Sequence, residues 1–236
     1  MDEVSTEKAK IAVFDFDGTS IEGSSPTRLV NRLILEHKIT PLTSVKIAFW
    51  AMLYKWHLPQ NEAWVRGQVF RAFNGKQKAE VDAYLTGFYD EYIEKRFRPK
   101  ADETMRACAE DGCEVIVVSA SFEPIVLRAM EKHSFRYQIS TRMKVDDEGR
   151  YTREVDGRPI EGDEKLIALK HWCDGRFGEG NWRLVYAYGD HHSDEPLLSA
   201  AEHPFAVCPN TGLSRIAKRR GWTVLDWSID VPRGRD

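Results

Sequence analysis

Three short apolar runs that break off in acids or small polar residues constrain this chain more than anything else in it. They are KIAVFDFDGT (10–19), GCEVIVVSAS (112–121) and WRLVYAYGD (182–190). A brief apolar run bounded by turn residues reads as a strand buried on both faces. HPFAVCPN (203–210) and GWTVLDW (221–227) are weaker versions of the same pattern. Helical spacing lies between them, in ADETMRACAED, EPIVLRAMEKH, DEKLIALKHWCD and EPLLSAAEH. Strands alternating with helices predict an α/β fold with a parallel sheet and helices on both faces.

Two stretches interrupt that rhythm. Between Thr19 and about Pro99 there is no strand pattern. Pro26 follows the capping serines Ser24 and Ser25 at a first helical position, and TRLVNRLILEHK continues with helical spacing. LTSVKIAFWAMLYKWH, NEAWVRGQVFRAF and KAEVDAYLTGFYDEYIEKRF extend the helical pattern. The expected division is therefore a core of residues 1–19 and 100–236 and a helical insertion of residues 20–99. Phe49, Trp50, Met52, Leu53, Tyr54 and Trp56 crowd one stretch of that insertion. A small helical unit needs its own aromatic core, which is favoured here over a lid for a lipid-like substrate or a membrane contact. The second interruption, STRMKVDDEGRYTREVDG, alternates around Asp147–Gly149 and reads as a β-hairpin.

Composition narrows the function class. The 236 residues are 42% hydrophobic and 30% charged, as in a soluble globular protein. A net charge of −3 gives no global electrostatic reason to expect nucleic acid or an anionic membrane as partner. Cys108, Cys113, Cys173 and Cys208 form no CxxC pair, which favours reduced thiols over disulfides or a zinc site. The opening MDEVSTEKAK has no apolar signal region, and no run is long enough to span a bilayer, so a cytoplasmic location is expected.

In open α/β sheets the ligand site lies beyond the carboxyl ends of the strands. Here those ends carry Asp15-Phe16-Asp17-Gly18-Thr19, Ser119-Ala120-Ser121 and Gly189-Asp190. Asp15 and Asp17 are two residues apart and project to the same side as the chain leaves its strand. Carboxylates so close repel unless they share a cation or a proton. YGDHHSDEP (188–196) adds Asp190, His191, His192 and Asp194. Adjacent histidines on an extended loop point in different directions, and no third imidazole or thiol sits at ligand spacing.

FDFDGT resembles the first motif of the haloacid dehalogenase superfamily, whose phosphatases use an aspartate nucleophile. VVSAS, GDEK and YGDHHSDEPLL resemble its second, third and fourth motifs in the expected order. The helical insertion resembles a C1-type cap, and the hairpin before Lys165 resembles the layout of the phosphoserine-phosphatase-like branch. The resemblance spans Lys10 to Trp227. It implies a Rossmann-like parallel-sheet core with an all-helical cap inserted after the first strand. It also implies a Mg²⁺-dependent phosphatase acting on a small-molecule phosphate monoester. Asp15 would be the nucleophile and Asp17 the general acid and base. Mg²⁺ would be held by the Asp15 carboxylate, the Asp17 backbone carbonyl and Asp190. Ser119 and Lys165, with backbone N–H groups around Phe16, Gly18 and Ala120, would hold the phosphoryl oxygens. Thr19 would brace the loop, and Asp194 would cap EPLLSAAEH or orient Lys165.

Two departures set the chain apart from phosphoserine-specific relatives. Glu22 is the one acid near the start of the insertion and stands a few residues early, and Ala120-Ser121 replaces the common Gly-Gly. The alternatives are a phosphotransferase or phosphomutase using the same Asp pair, or a non-catalytic phosphate-binding regulatory protein.

Overall fold

The computed structural model describes residues 7–37 and 69–229. A six-stranded, all-parallel sheet has the order β3-β2-β1-β6-β7-β8. Its strands are β1 (Ala9–Phe14), β2 (Cys113–Phe122), β3 (Tyr137–Thr141), β6 (Trp182–Gly189), β7 (His203–Val207) and β8 (Thr223–Leu225). The five apolar runs read from the sequence are all strands of this sheet. β3 is the addition: its YQIST has one aliphatic residue, Ile139, so no apolar run announces it. An edge position accounts for this, because only one side of such a strand has a partner.

The sheet is buried on both faces, as its unbroken apolar runs require. Ile11 and Val13 pack on one side with Ile116, Val118, Leu169 and Leu213. Ala12 and Phe14 face the other side with Val115, Val117, Leu29 and Phe88. Successive residues thus serve opposite cores. Phe14 stacks on Tyr188 at 4.2 Å between ring centroids, and Tyr188 stacks on Phe205 at 4.8 Å. This aromatic layer stiffens the sheet just below the ends of β1 and β6.

Between β1 and β2 the described elements are helical, apart from isolated bridges. They are α1 (Ser25–Leu35), a helical stretch at 69–73, α2 (Lys78–Phe88), a π-turn at Tyr89–Ile93 and a 3-10 turn at Glu94–Arg96. The aromatic run at 49–56 lies outside the described residues. Ser24 caps α1 by accepting the N–H of Thr27 at 3.4 Å, and Ser25 is the first helical residue rather than a second cap. Then follow α3 (Pro99–Glu110) before β2 and α4 (Glu123–Met130) after it. The expected hairpin is present, shorter than its alternating pattern, as antiparallel β4 (Met143–Val145) and β5 (Tyr151–Val155). The last helices are α5 (Asp163–Phe177), α6 (Glu195–Ser199) and α7 (Thr211–Arg220).

The chain builds β1, β2 and β3 outward in one direction and β6, β7 and β8 in the other. The connections therefore diverge at β1, and a crevice opens over the carboxyl ends of β1, β2 and β6.

Candidate active site

The strand pairing of β1 continues one residue past its end, because Asp15 N–H donates to the Tyr188 carbonyl at 2.9 Å. Phe16 is fully buried, so the residue between the two aspartates anchors the turn in the core. Asp15 Oδ1 accepts from Lys165 Nζ at 2.6 Å, and the same ammonium donates to Asp194 Oδ1 at 2.6 Å. Lys165 stands in the first turn of α5, where it is 5% exposed. Burial works against its charge, but Asp15 and Asp194 outweigh it and hold Lys165 protonated.

Asp15, Asp190 and Asp194 each bring an oxygen within 4.8 Å of the others. Three carboxylates therefore surround one ammonium, an excess of negative charge in a poorly solvated place. The strain is visible in their protonation. Burial raises Asp15 well above the ordinary carboxylate range, with Lys165 pulling against it. Burial and the Asp194 charge push Asp190 up to about 7. A hard divalent cation would relieve both, and an all-oxygen donor set suits one.

The acids are not equally available. Both oxygens of Asp194 are taken: Oδ1 by Lys165 and Oδ2 by the His191 N–H at 3.2 Å. Asp15 Oδ2 and Asp190 Oδ2 accept no hydrogen bond among the described residues, and Asp190 Oδ1 takes only the Thr19 hydroxyl at 3.2 Å. Asp15 and Asp190 are thus the candidate ligands, and Asp194 orients Lys165. Asp194 was also expected to cap the helix after it, but its side chain makes no such bond to α6; it closes a capping box with His191 around the 3-10 turn His192–Asp194. A Cβ at Gly189 would sit 2.9 Å from Asp194 Oδ2, which accounts for the glycine before Asp190.

Asp17 takes a different course. Asp15 and Asp17 do not share a partner: Asp17 Oδ1 accepts the Ser25 N–H at 2.5 Å and Oδ2 accepts the Ser121 hydroxyl at 2.5 Å. Burial raises Asp17 above the usual carboxylate range, and the bonds from Ser121 and Ser25 oppose that. Ser119 is fully buried inside β2, which runs on to Phe122, and its Oγ accepts the Ser121 N–H at 3.0 Å. Its hydroxyl hydrogen has no acceptor among the described residues. Ala120, between the two serines, is partly exposed.

Gly18 was expected among the phosphate donors, yet its N–H already donates to the Gly23 carbonyl at 2.9 Å. Its contribution is space: φ is +80° and a Cβ would overlap the Asp190 carboxylate. Thr19, expected to brace the loop, donates its hydroxyl to Asp190 Oδ1. Glu22 is engaged by the buried Arg96 at 3.4 Å. Arg98, a residue the sequence reading passed over, is 5% exposed and donates to the Gly18 carbonyl at 3.2 Å and the Trp227 carbonyl at 2.7 Å. His191 accepts the Ser193 N–H at 3.3 Å and His192 is exposed; neither belongs to the acidic cluster.

The model of the haloacid dehalogenase-like hydrolases matches residues 12–199, from the second described core residue of β1 through α6. The chain belongs to that family. Among its relatives is a histidinol-phosphatase of Neisseria meningitidis, 30% identical over 152 residues, 64% of this chain and 68% of that protein. Other curated relatives match over 121 residues, 51% of this chain and 40–42% of their own length. A Bordetella pertussis protein of unknown function has the same fold, with a TM-score of 0.82 at 22% identity, covering 94% of this chain and 100% of that one. A phosphoserine phosphatase solved as a phospho-aspartyl intermediate analogue has a TM-score of 0.62 at 21% identity, covering 95% and 96%. As a haloacid dehalogenase-like hydrolase, the chain carries the α/β core described above. No helix among the described residues is long and apolar enough to cross a membrane.

Proposed function

We propose that this hydrolase is a Mg²⁺-dependent phosphatase that cleaves small organic phosphate monoesters through an aspartyl-phosphate on Asp15. The observation that carries the reading is the pairing of Asp15 with Lys165 at 2.6 Å while its other oxygen is left without a donor. A nucleophile needs a free lone pair and a charge environment that also admits an anion. The Asp15 carboxylate, the Asp17 backbone carbonyl and Asp190 would hold Mg²⁺, which would neutralise charge on the phosphoryl oxygens.

The protein groups then divide the work. Asp15 attacks phosphorus as the ester P–O bond breaks, and Asp17 gives its proton to the departing alkoxide. Water next attacks the aspartyl-phosphate, Asp17 takes the water proton, and the bond from Asp15 to phosphorus breaks, releasing inorganic phosphate. Proton transfer of this kind contributes about 10²–10⁴-fold. Lys165 has two of its three protons on carboxylates, which leaves one for a phosphoryl oxygen. The Ser119 hydroxyl and the N–H of Ala120 supply further donors. Residues 20–99, of which 20–37 and 69–99 are described, would serve as the cap on a core of residues 1–19 and 100–236. The thiols of Cys108, Cys113, Cys173 and Cys208 are unpaired, which fits work in the reducing cytoplasm.

The test is phosphate release from a monoester panel that includes phosphoserine, histidinol phosphate, sugar phosphates, phosphocholine and lysophospholipids. Turnover should stop with chelator and return with Mg²⁺. Full activity without metal, or no hydrolysis of any member, would refute the reading. Transfer of the phosphoryl group to an added alcohol instead of water would mark a phosphotransferase.

A further inference from the structure

The two hydroxyls around Asp17 are not consumed by any step above. Ser121 Oγ lies 2.5 Å from Asp17 Oδ2, Ser25 N lies 2.5 Å from Asp17 Oδ1, and Ser25 Oγ lies 2.5 Å from Ser121 Oγ. Both serines are fully buried. The direction of each bond follows from what the groups can give. Asp17 keeps its exchanging proton on the side of the leaving oxygen, so Oδ2 accepts the single hydroxyl proton of Ser121 in both protonation states. Ser121 then meets Ser25 as an acceptor, and the Ser25 hydroxyl donates. Donation runs from Ser25 to Ser121 to Asp17.

The two supports come from different parts of the fold. Ser121 is in the last turnout of β2, with its own N–H tied to Ser119 Oγ at 3.0 Å. Ser25 opens α1, where Ser24 caps the helix and Pro26 fixes the first turn. The carboxyl torsion of an aspartate is broad when nothing holds it. Here each oxygen of Asp17 has one fixed donor, which sets the plane of the carboxyl group. One lone pair on each oxygen remains outside the clamp, where the exchanging proton is carried.

We propose that Ser121, backed by Ser25, is a positioning residue that fixes the Asp17 carboxyl group for proton transfer to the leaving oxygen. The inference rests on the role of Asp17 given above. The serines keep their own protons throughout and act by orientation alone. A displacement near 1 Å at a reacting group costs about 10²-fold.

The experiment uses the full chain with Mg²⁺ and measures kcat/KM for phosphate monoesters from alkyl phosphates to p-nitrophenyl phosphate. That parameter covers the steps up to the aspartyl-phosphate, so it reports the first proton transfer. Ser121→Ala should lose about 10–100-fold with alkyl phosphates, whose alkoxides need a proton, and under about threefold with p-nitrophenyl phosphate. Inhibition by inorganic phosphate should be unchanged. Ser25→Ala should steepen the dependence on leaving-group pKa in the same direction and less, because its backbone N–H stays on Asp17. An equal loss across the series, or none, in a cooperatively unfolding variant overturns the inference. If Ser121→Ala does not fold, Ser25→Ala carries the same test. Asp17→Asn separates the two levels: retained alkyl-phosphate turnover removes Asp17 as the acid and the inference with it. An inactive Asp17→Asn beside flat serine variants rejects the clamp alone.

Discussion

Lys165 Nζ meets Asp15 Oδ1 at 2.6 Å across 150 residues of chain, with both side chains under a tenth exposed. The same ammonium holds Asp194, so removing Asp15's charge does not strand Lys165. Asp15→Asn should therefore fold normally and lose turnover by about 10⁴-fold or more, as expected for a nucleophile. Lys165→Met should behave differently, because it leaves Asp15 and Asp194 buried without their cation. A loss of about 3–5 kcal/mol is expected. Urea unfolding beside steady-state kinetics separates the two; a stable, active Asp15→Asn would remove it as nucleophile.

Gly18 and Asp190 are in contact in a way only glycine permits. Gly18→Ala places a methyl group on the Asp190 carboxylate at a φ of +80°. The backbone cost is about 1–2 kcal/mol, and Asp190 must also turn away from Asp15. Activity should fall about 10²-fold or more, with Mg²⁺ affinity weakened by calorimetric titration. Unchanged Mg²⁺ affinity would show that Asp190 is not a ligand.

His191→Ala with His192→Ala should leave the Mg²⁺ requirement of turnover intact. His191 Nδ1 caps the 3-10 turn at Ser193, so the double variant should lose about 1 kcal/mol of stability. The measurement is activity against added Mg²⁺ together with thermal unfolding. Loss of Mg²⁺ binding, seen as turnover that added Mg²⁺ no longer restores, would place an imidazole in the centre.

Much of this site can be read from the chain because its acids end apolar strands, a pattern carried by neighbouring residues. Asp15, Asp17 and Asp190 announce themselves in that way, and Lys165 does so only through the resemblance of GDEK to the family's third motif. The contacts that hold them are less visible. Ser25 and Ser121 are 96 residues apart, and each alone resembles an ordinary capping or turn residue. Arg98 looks like a surface arginine, yet it is buried against the carbonyls of Gly18 and Trp227. β3 escapes because an edge strand half-covered by neighbours needs no apolar run. What was hidden depends on distant segments meeting, which local pattern does not encode.

His133 provides a test away from the acids. Its ring stacks on Phe97 at 3.4 Å, and Nε2 lies 2.9 Å from the Tyr89 hydroxyl. Glu94 and Asp102 each approach at 3.7 Å, and Lys132 adds an opposing charge. Burial nonetheless lowers its pKa below the ordinary 6.5, the two acids pulling the other way. The folded protein therefore binds this proton less readily than the unfolded chain does. Its contribution to stability is complete above pH 6.5 and is lost as pH falls through the folded value. His133→Gln should flatten the fall in stability between about pH 7 and 5, by at most about 1.4 kcal/mol per pH unit. Urea unfolding of both proteins across that range checks it. Parallel pH curves would mean that His133 titrates alike in the folded and unfolded chain.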